Sequence, residues 1–248
     1  MAKSEPEPPS PPAALGGYFQ WSRDPAIGLF SVLPLWLVYE WLRLRLSPDE
    51  RNGAEMFLLR ELQRLDPRAH IVLSVCFAAL VTAAAVSLVK RDVPWSRVVA
   101  VVALEGTMYA LLLGPLASAM ASASARLLST SPFDPTLLGN LVGSVGAGIF
   151  EELVFRLGLM SALVWIGARA VRAWSLPPWV AGVVGAVVSA LVFSWFHHLC
   201  GEPYDSRRFI FRTMAGVLLG LLMWTRGFGV CVYTHTMYNV YFYLGHDG

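Results

Sequence analysis

Glu151 and Glu152 stand side by side in the apolar run GAGIFEELVFRLG (146–158), with Arg156 one turn further on. Phe193 and His197 are four apart in FSWFHH (193–198), and His235 and Asn239 are four apart in HTMYN (235–239). Carboxylate, imidazole and amide side chains are what peptide hydrolysis needs. A base must take a proton from water, and fixed donors must meet the carbonyl oxygen as it becomes negative. Glu152 and Arg156 share a helix face and can pair, whereas Glu151 points about 100 degrees away toward a different neighbour. The expected roles follow. Glu151 takes a proton from water and returns it to the leaving amine, and His197 holds the water or shares the transfer. His235 and Asn239 donate to the oxyanion, and Glu152, Arg156 and Phe193 support the site.

The same residues admit a metal reading, in which Glu151 (or Glu152), His197 and His235 bind zinc with water in the fourth position. The chain has no HExxH, and the ligands would come from separate segments. The expectation is therefore a site without cofactor, with zinc as the alternative. Taken singly, Glu152 with Arg156 reads as a structural ion pair and an intramembrane histidine as a packing residue; His198 is assigned that packing role. Explaining all the groups together favours one shared site. Glu40 lies beside Arg43 and Arg45, which accounts for it by snorkelling or local pairing. Glu105, in VALEGTMY, either lines a substrate cavity or bonds to a neighbouring helix.

The elements that must position these groups are apolar. Of 248 residues, 56% are hydrophobic and only 15% charged, and the mean hydropathy is +0.55. A soluble domain carries about a quarter charged residues, so the chain belongs to the membrane class. Spanning about 30 Å of hydrocarbon takes about 20 apolar residues as helix. Seven stretches approach this: 26–42 with Pro34 and Glu40, 70–88, 97–120 interrupted by Glu105 and Pro115, 136–166, 179–199, 209–224 and 229–244. Unpaired backbone is costly in lipid, so these runs predict helices. The fold class expected is an all-α polytopic membrane protein, a bundle of about seven transmembrane helices enclosing a polar cavity.

The organisation expected along the chain has three parts. Residues 1–20, rich in Pro, Glu and Ser, form a disordered tail without the apolar core of a signal peptide. Residues 21–136 carry three spans, with an amphipathic helix at 53–65. Residues 137–248 form the catalytic core with four spans. Seven crossings would put Lys3, Arg23, Lys90, Arg91, Arg97, Arg169, Arg172 and Arg226 on one side and Arg43, Arg45, Arg51, Arg60, Arg64, Arg68, Arg126, Arg207, Arg208 and Arg212 on the other, which slightly favours the second side as cytoplasmic. The net charge of +2 is too small and too dispersed for a nucleic-acid groove. Cys76, Cys200 and Cys231 lie in or at the end of apolar segments and read as small buried thiols.

The three motifs together, Glu-Glu-x-x-x-Arg at 151–156, Phe-x-x-x-His at 193–197 and His-x-x-x-Asn at 235–239, resemble the CAAX prenyl proteases and bacteriocin-processing enzymes, also called the Abi family. The stretch 211–239, with Arg212, Gly216 and Gly220, is similar to the family's lead-in to its last motif, and the resemblance covers about residues 137–243. It implies a glutamate-dependent intramembrane endopeptidase of helical membrane fold with a water-filled conical cavity. By that match Glu151 resembles the catalytic glutamate and His197 its partner in water activation. His235 and Asn239 match the oxyanion-stabilising pair, and Glu152 and Arg156 complete the first motif. The implied partners are the lipid bilayer and a membrane-anchored or lipidated protein or peptide substrate; no oligomer is implied. Ala, Arg and Gly usage resembles that of a GC-rich bacterial genome, which points to the inner (plasma) membrane and to protein sorting or C-terminal anchor processing. The other classes weighed are a non-catalytic binding or bacteriocin-immunity protein and a proton-coupled transporter relaying through Glu105, Glu151 and His235.

Overall fold

Asp24 begins the first long helix by accepting hydrogen bonds from the backbone N–H of Ala26 (2.9 Å) and Ile27 (3.3 Å), and Pro25 occupies the first helical position. The computed structural model describes residues 16–45, 56, 60, 63–64, 68–122, 137–200 and 202–244. Its elements are α1 (Gly16–Trp21), α2 (Pro25–Arg43), α3 (Ala69–Lys90), α4 (Trp95–Ser122), α5 (Leu137–Gly146), a π-helical stretch Ala147–Met160, α6 (Ser161–Ala173), α7 (Trp179–Leu199), α8 (Ser206–Arg226) and α9 (Phe228–Leu244). Among the described residues there is no strand. The fold is all-α and polytopic.

Among the described residues four helices are long and apolar enough to cross a membrane, within Pro25–Leu42, Trp95–Ala121, Trp179–Leu199 and Ser206–Arg226. Four candidate spans fall short of the seven expected. The 136–166 stretch is one continuous helical rod from Leu137 to Ala173, but it carries Glu151, Glu152 and Arg156 at its middle. α9 has 17 residues. Neither Pro34 nor Pro115 ends its helix, and Glu105 does not interrupt α4, which runs unbroken for 28 residues. Helices in lipid tolerate an internal proline because local adjustment and neighbouring groups satisfy the freed carbonyl. Outward-facing Leu104 (62% exposed), Met108 (60%) and Leu111 (60%) on α4 present the apolar surface that lipid solvates.

α9 sits at the centre. Every residue from Phe228 to Thr236 is buried. Val230 and Tyr233 join Ile27, Leu88, Val98 and Val102, while Val232 and Phe228 join Val32, Tyr39, Val142, Val145 and Ile149. Two glycines permit this. Gly227 turns the chain between α8 and α9 at φ +92, a conformation that disfavours any side chain. Gly148 lies so close to Thr236 that a Cβ there would collide with the threonine backbone at 2.9 Å. α7 and α8 pack antiparallel through a small-residue seam, with Ala190 against Gly216 and Ala186 against Gly220.

Three further expectations meet the structure here. The helix α1 begins at Gly16, inside the stretch assigned to the tail; residues 1–15 lie outside the described residues. Most of 53–65 also lies outside them, although Met56, Arg60, Gln63 and Arg64 are helical. Of the cysteines, Cys231 is buried but Cys76 and Cys200 are exposed. An apolar segment in lipid is apolar outside as well as inside, so hydrophobic neighbours do not imply that a thiol points inward.

Candidate active site

The π-helical stretch sets the first two glutamates. Its bonds run from residue i to i+5, as from the Ser161 N–H to the Arg156 carbonyl, giving a wider turn than an α-helix. Glu152 and Arg156 emerge on one side, fully buried, with Arg156 Nη1 3.0 Å from Glu152 Oε1. A second Arg156 nitrogen reaches the Gly216 carbonyl at 3.4 Å, and the guanidinium lies 4.3 Å over the Phe193 ring. A β-carbon at Gly216 would sit 2.9 Å from that of Ala190 and 3.2 Å from Arg156 Nη2. Glycine there allows both the close seam and the arginine.

Besides its ion pair with Arg156, Glu152 accepts hydrogen bonds from α9. His235 Nδ1 is 2.7 Å from Oε1, and the Cys231 thiol, one turn earlier, is 3.0 Å from Oε2. On α7, His197 Nδ1 bonds to the Phe193 carbonyl at 3.0 Å. A carbonyl only accepts, so His197 carries its proton on Nδ1. The Glu152 carboxylate, paired with Arg156, fixes the proton of His235 on Nδ1 in the same way. In the neutral rings both Nε2 atoms are then acceptors.

Both Nε2 atoms face Glu151. His197 Nε2 and His235 Nε2 each lie 3.9 Å from the same oxygen, Glu151 Oε2. That is beyond direct hydrogen bonding and within the reach of one bridging water. Phe193 closes the space between them, edge-on to His197 at 4.9 Å and to His235 at 6.1 Å between centroids. Side-chain exposure is 8% at Glu151 and His235 and 21% at His197, so the site is sheltered and most open on the α7 side.

Six of the seven residues read from the sequence thus form one contact network: Glu151, Glu152, Arg156, Phe193, His197 and His235. Asn239 lies one turn beyond His235 on α9, half-buried, and among the described residues no hydrogen bond joins it to the others. His198 packs among Tyr204, Phe209 and Trp195, in the packing role assigned to it. Glu105 bonds to a neighbouring helix: Arg226 holds it through two bonds of 2.6 and 2.8 Å, and Tyr18 donates to it. Sequence reasoning missed the bond from Cys231 to Glu152 and the pairing of Glu202 with Arg212; the signal for the first was the place of Cys231 four residues before His235. Among the described residues no group of three or more His, Cys, Asp or Glu is arranged to hold a metal ion.

A family model described as Rce1-like, Type II CAAX prenyl endopeptidase, matches residues 133–241. The chain carries an Rce1-like segment. That segment contains all seven site residues and the elements α5 to α9 that hold most of the network, and it agrees with the 137–243 resemblance read from the motifs. No curated protein and no solved structure matches the chain. The Rce1-like match and the buried histidine–glutamate cluster together support a glutamic-type intramembrane protease activity.

Proposed function

We propose that this protein is an intramembrane endopeptidase in which Glu151 activates water against a peptide bond of a membrane-anchored or lipidated protein. The observation that carries this reading is the convergence of His197 Nε2 and His235 Nε2 on Glu151 Oε2 at 3.9 Å. A water held there gives one proton to Glu151 and directs the other at the lone pair of His197. Its oxygen forms the new C–O bond, and the carbonyl electron pair moves onto oxygen. Asn239 donates its amide N–H to that oxyanion. His235 can donate through Nε2 only as imidazolium, because its neutral ring has its proton on Nδ1. Collapse of the tetrahedral intermediate breaks the C–N bond, and Glu151 returns its proton to the leaving amine.

The remaining features of this reading are coarser. The seven helical segments α2, α3, α4, Leu137–Ala173, α7, α8 and α9 each cross the bilayer around a polar cavity. Residues 137–248 form the catalytic core, and 21–136 carry substrate selection. The setting is a bacterial inner membrane, with sorting or C-terminal anchor processing as the task. The pairing of Arg23 with the Thr225 carbonyl and of Arg91 with Asp24 supports the grouping of Arg23, Arg91 and Arg226 at one end.

The test compares membranes from cells making wild type and Glu151→Ala, by mass spectrometry of small membrane-anchored proteins from the same genome. A shortened fragment made only by wild type, with or without a chelator, is the expected result. Identical fragment profiles would overturn the protease reading, and loss of the fragment on chelation would move the same residues to the zinc reading.

A further inference from the structure

His197 is the catalytic candidate with the least support from its own helix. α7 ends two residues later at Leu199, and among the described residues the imidazole's hydrogen bond runs from Nδ1 to the Phe193 carbonyl. At a helix end the last carbonyls lack intrahelical partners, and the final turn frays unless something holds it. Here the chain doubles back. The backbone N–H of Glu202 reaches the His197 carbonyl at 3.4 Å, and the Cys200 N–H bonds to the Phe196 carbonyl at 3.0 Å.

The Glu202 side chain is anchored in turn. Arg212, on the second turn of α8, grips it with Nη1 at 2.6 Å and Nη2 at 2.8 Å, the two-pronged geometry that makes arginine pairs directional. Arg208 lies one turn earlier, 4.0 Å from the same carboxylate. Asp205 fixes the start of α8 by accepting from the N–H of Arg207 and of Arg208, both at 2.9 Å. Ser194 ties α7 to α8 through the Phe209 carbonyl at 2.7 Å. Burial would push the Glu202 carboxyl up, but the hydrogen bonds and charge of Arg212 outweigh it and hold the group below its usual range. The pair is therefore ionised at neutral pH.

We infer that Glu202 and Arg212 are positioning residues for His197: the α8 arginine, through the Glu202 carboxylate and backbone, fixes the last turn of α7 so that Nε2 faces Glu151. This rests on the protease reading and adds to it a dependence on residues outside the three motifs' catalytic positions. The side chains of Glu202 and Arg212 are both 19% exposed. The clamp is thus sheltered enough to be directional while lying at the more open, α7 side of the site.

The experiment uses the full chain in detergent with the membrane-anchored protein that wild type shortens and Glu151→Ala does not. Glu202→Gln and Arg212→Gln are each expected to lower kcat about tenfold, with KM within about twofold of wild type, since a small misplacement of a reacting group costs rate rather than binding. Arg212→Lys, which keeps the charge but loses the fork, is expected to recover part of that loss. A raised KM with unchanged kcat would overturn the inference by making Arg212 a substrate contact. So would unchanged kinetics in both Gln variants, or a Lys variant no better than Gln. If no protein is shortened by wild type, the protease reading itself fails; if wild type cuts and the clamp variants behave like it, only this inference does.

Discussion

Two carboxylates in this molecule, Glu105 and Glu152, are each set against an arginine inside apolar helices, yet they do different work. Glu105 lies where α4, α8 and α1 meet. Arg226 and Tyr18 both donate to it, and the guanidinium is covered by the Phe19 ring at 4.2 Å. Glu152 is as well held, by Arg156, His235 and Cys231, but it has Glu151 beside it, and His235 turns its other nitrogen toward that second carboxylate. The Glu105 cluster ends in itself, whereas the Glu152 cluster aims an imidazole at a further group. An intramembrane charge pair is therefore not by itself a mark of chemistry. What separates the two is a neighbouring carboxylate approached by two ring nitrogens at a distance suited to a water.

The transport reading needed Glu105, Glu151 and His235 in one relay. Glu105 is instead locked to Arg226, which lies just before α9 begins. From Phe228 to His235 the helix rises about 10 Å. The two clusters are separate along the central helix.

The sharpest way to break the comparison is Glu151→Gln, which keeps shape and removes the base. Fragment formation should fall about 10²–10⁴-fold, with the thermal midpoint in detergent little changed, as read by densitometry and a melting curve. Glu152→Ala comes next. It leaves Arg156 buried without its carboxylate, and unfolding stability should drop by about 3–5 kcal/mol along with activity. Glu105→Gln should behave in the opposite sense at the other cluster, with a lower melting temperature but a kcat within about twofold of wild type, because Arg226 loses a charged partner far from Glu151. Equal loss of kcat in the Glu105 variant would erase the distinction drawn above.

The smallest effect belongs to Asp24, at the start of α2. Arg91 chiefly, and the N–H groups of Ile27 and Ala26, hold its carboxyl below the usual aspartate range against the opposing effect of burial. A depressed folded value stabilises the protein fully above the unfolded value of about 4 and is lost as pH falls through the folded one. Asp24→Asn keeps the cap but loses the partly exposed ion pair with Arg91, and should cost about 0.2–1 kcal/mol at pH 7. It should also remove part of the wild type's loss of stability on acidification below about pH 4, followed by melting curves across that range.

Run length and composition made the helices legible. Trp179–Leu199 has the expected limits, and Ser206–Arg226 and Phe228–Leu244 extend theirs by a few residues or fewer. The i, i+4 spacing made the Glu152–Arg156 pair legible, and polar side chains among apolar residues singled out six of the seven site positions, all but Phe193. Other features depend on what lies across the fold. Cys231 becomes a Glu152 ligand only because α9 passes beside the π-helical stretch, and Glu202 meets Arg212 only because α7 and α8 are antiparallel. Pro115 misled because the usual helix-breaking rule assumes water as the competing environment. The partner of Glu105 came from residue 226, a separation no local pattern encodes.

The π-helical stretch Ala147–Met160 has a consequence for how this site can vary. Each of its turns holds one more residue than its hydrogen-bond ladder would in an α-helix, and α-helical segments continue it at both ends. Adding or removing a single residue between 152 and 156 would rotate Arg156 out of phase with Glu152, and one between 157 and 160 would turn α6 relative to the two glutamates. The stretch can therefore accept many exchanges of one outward side chain for another, yet its number of residues is as much a part of the catalytic apparatus as the two glutamates.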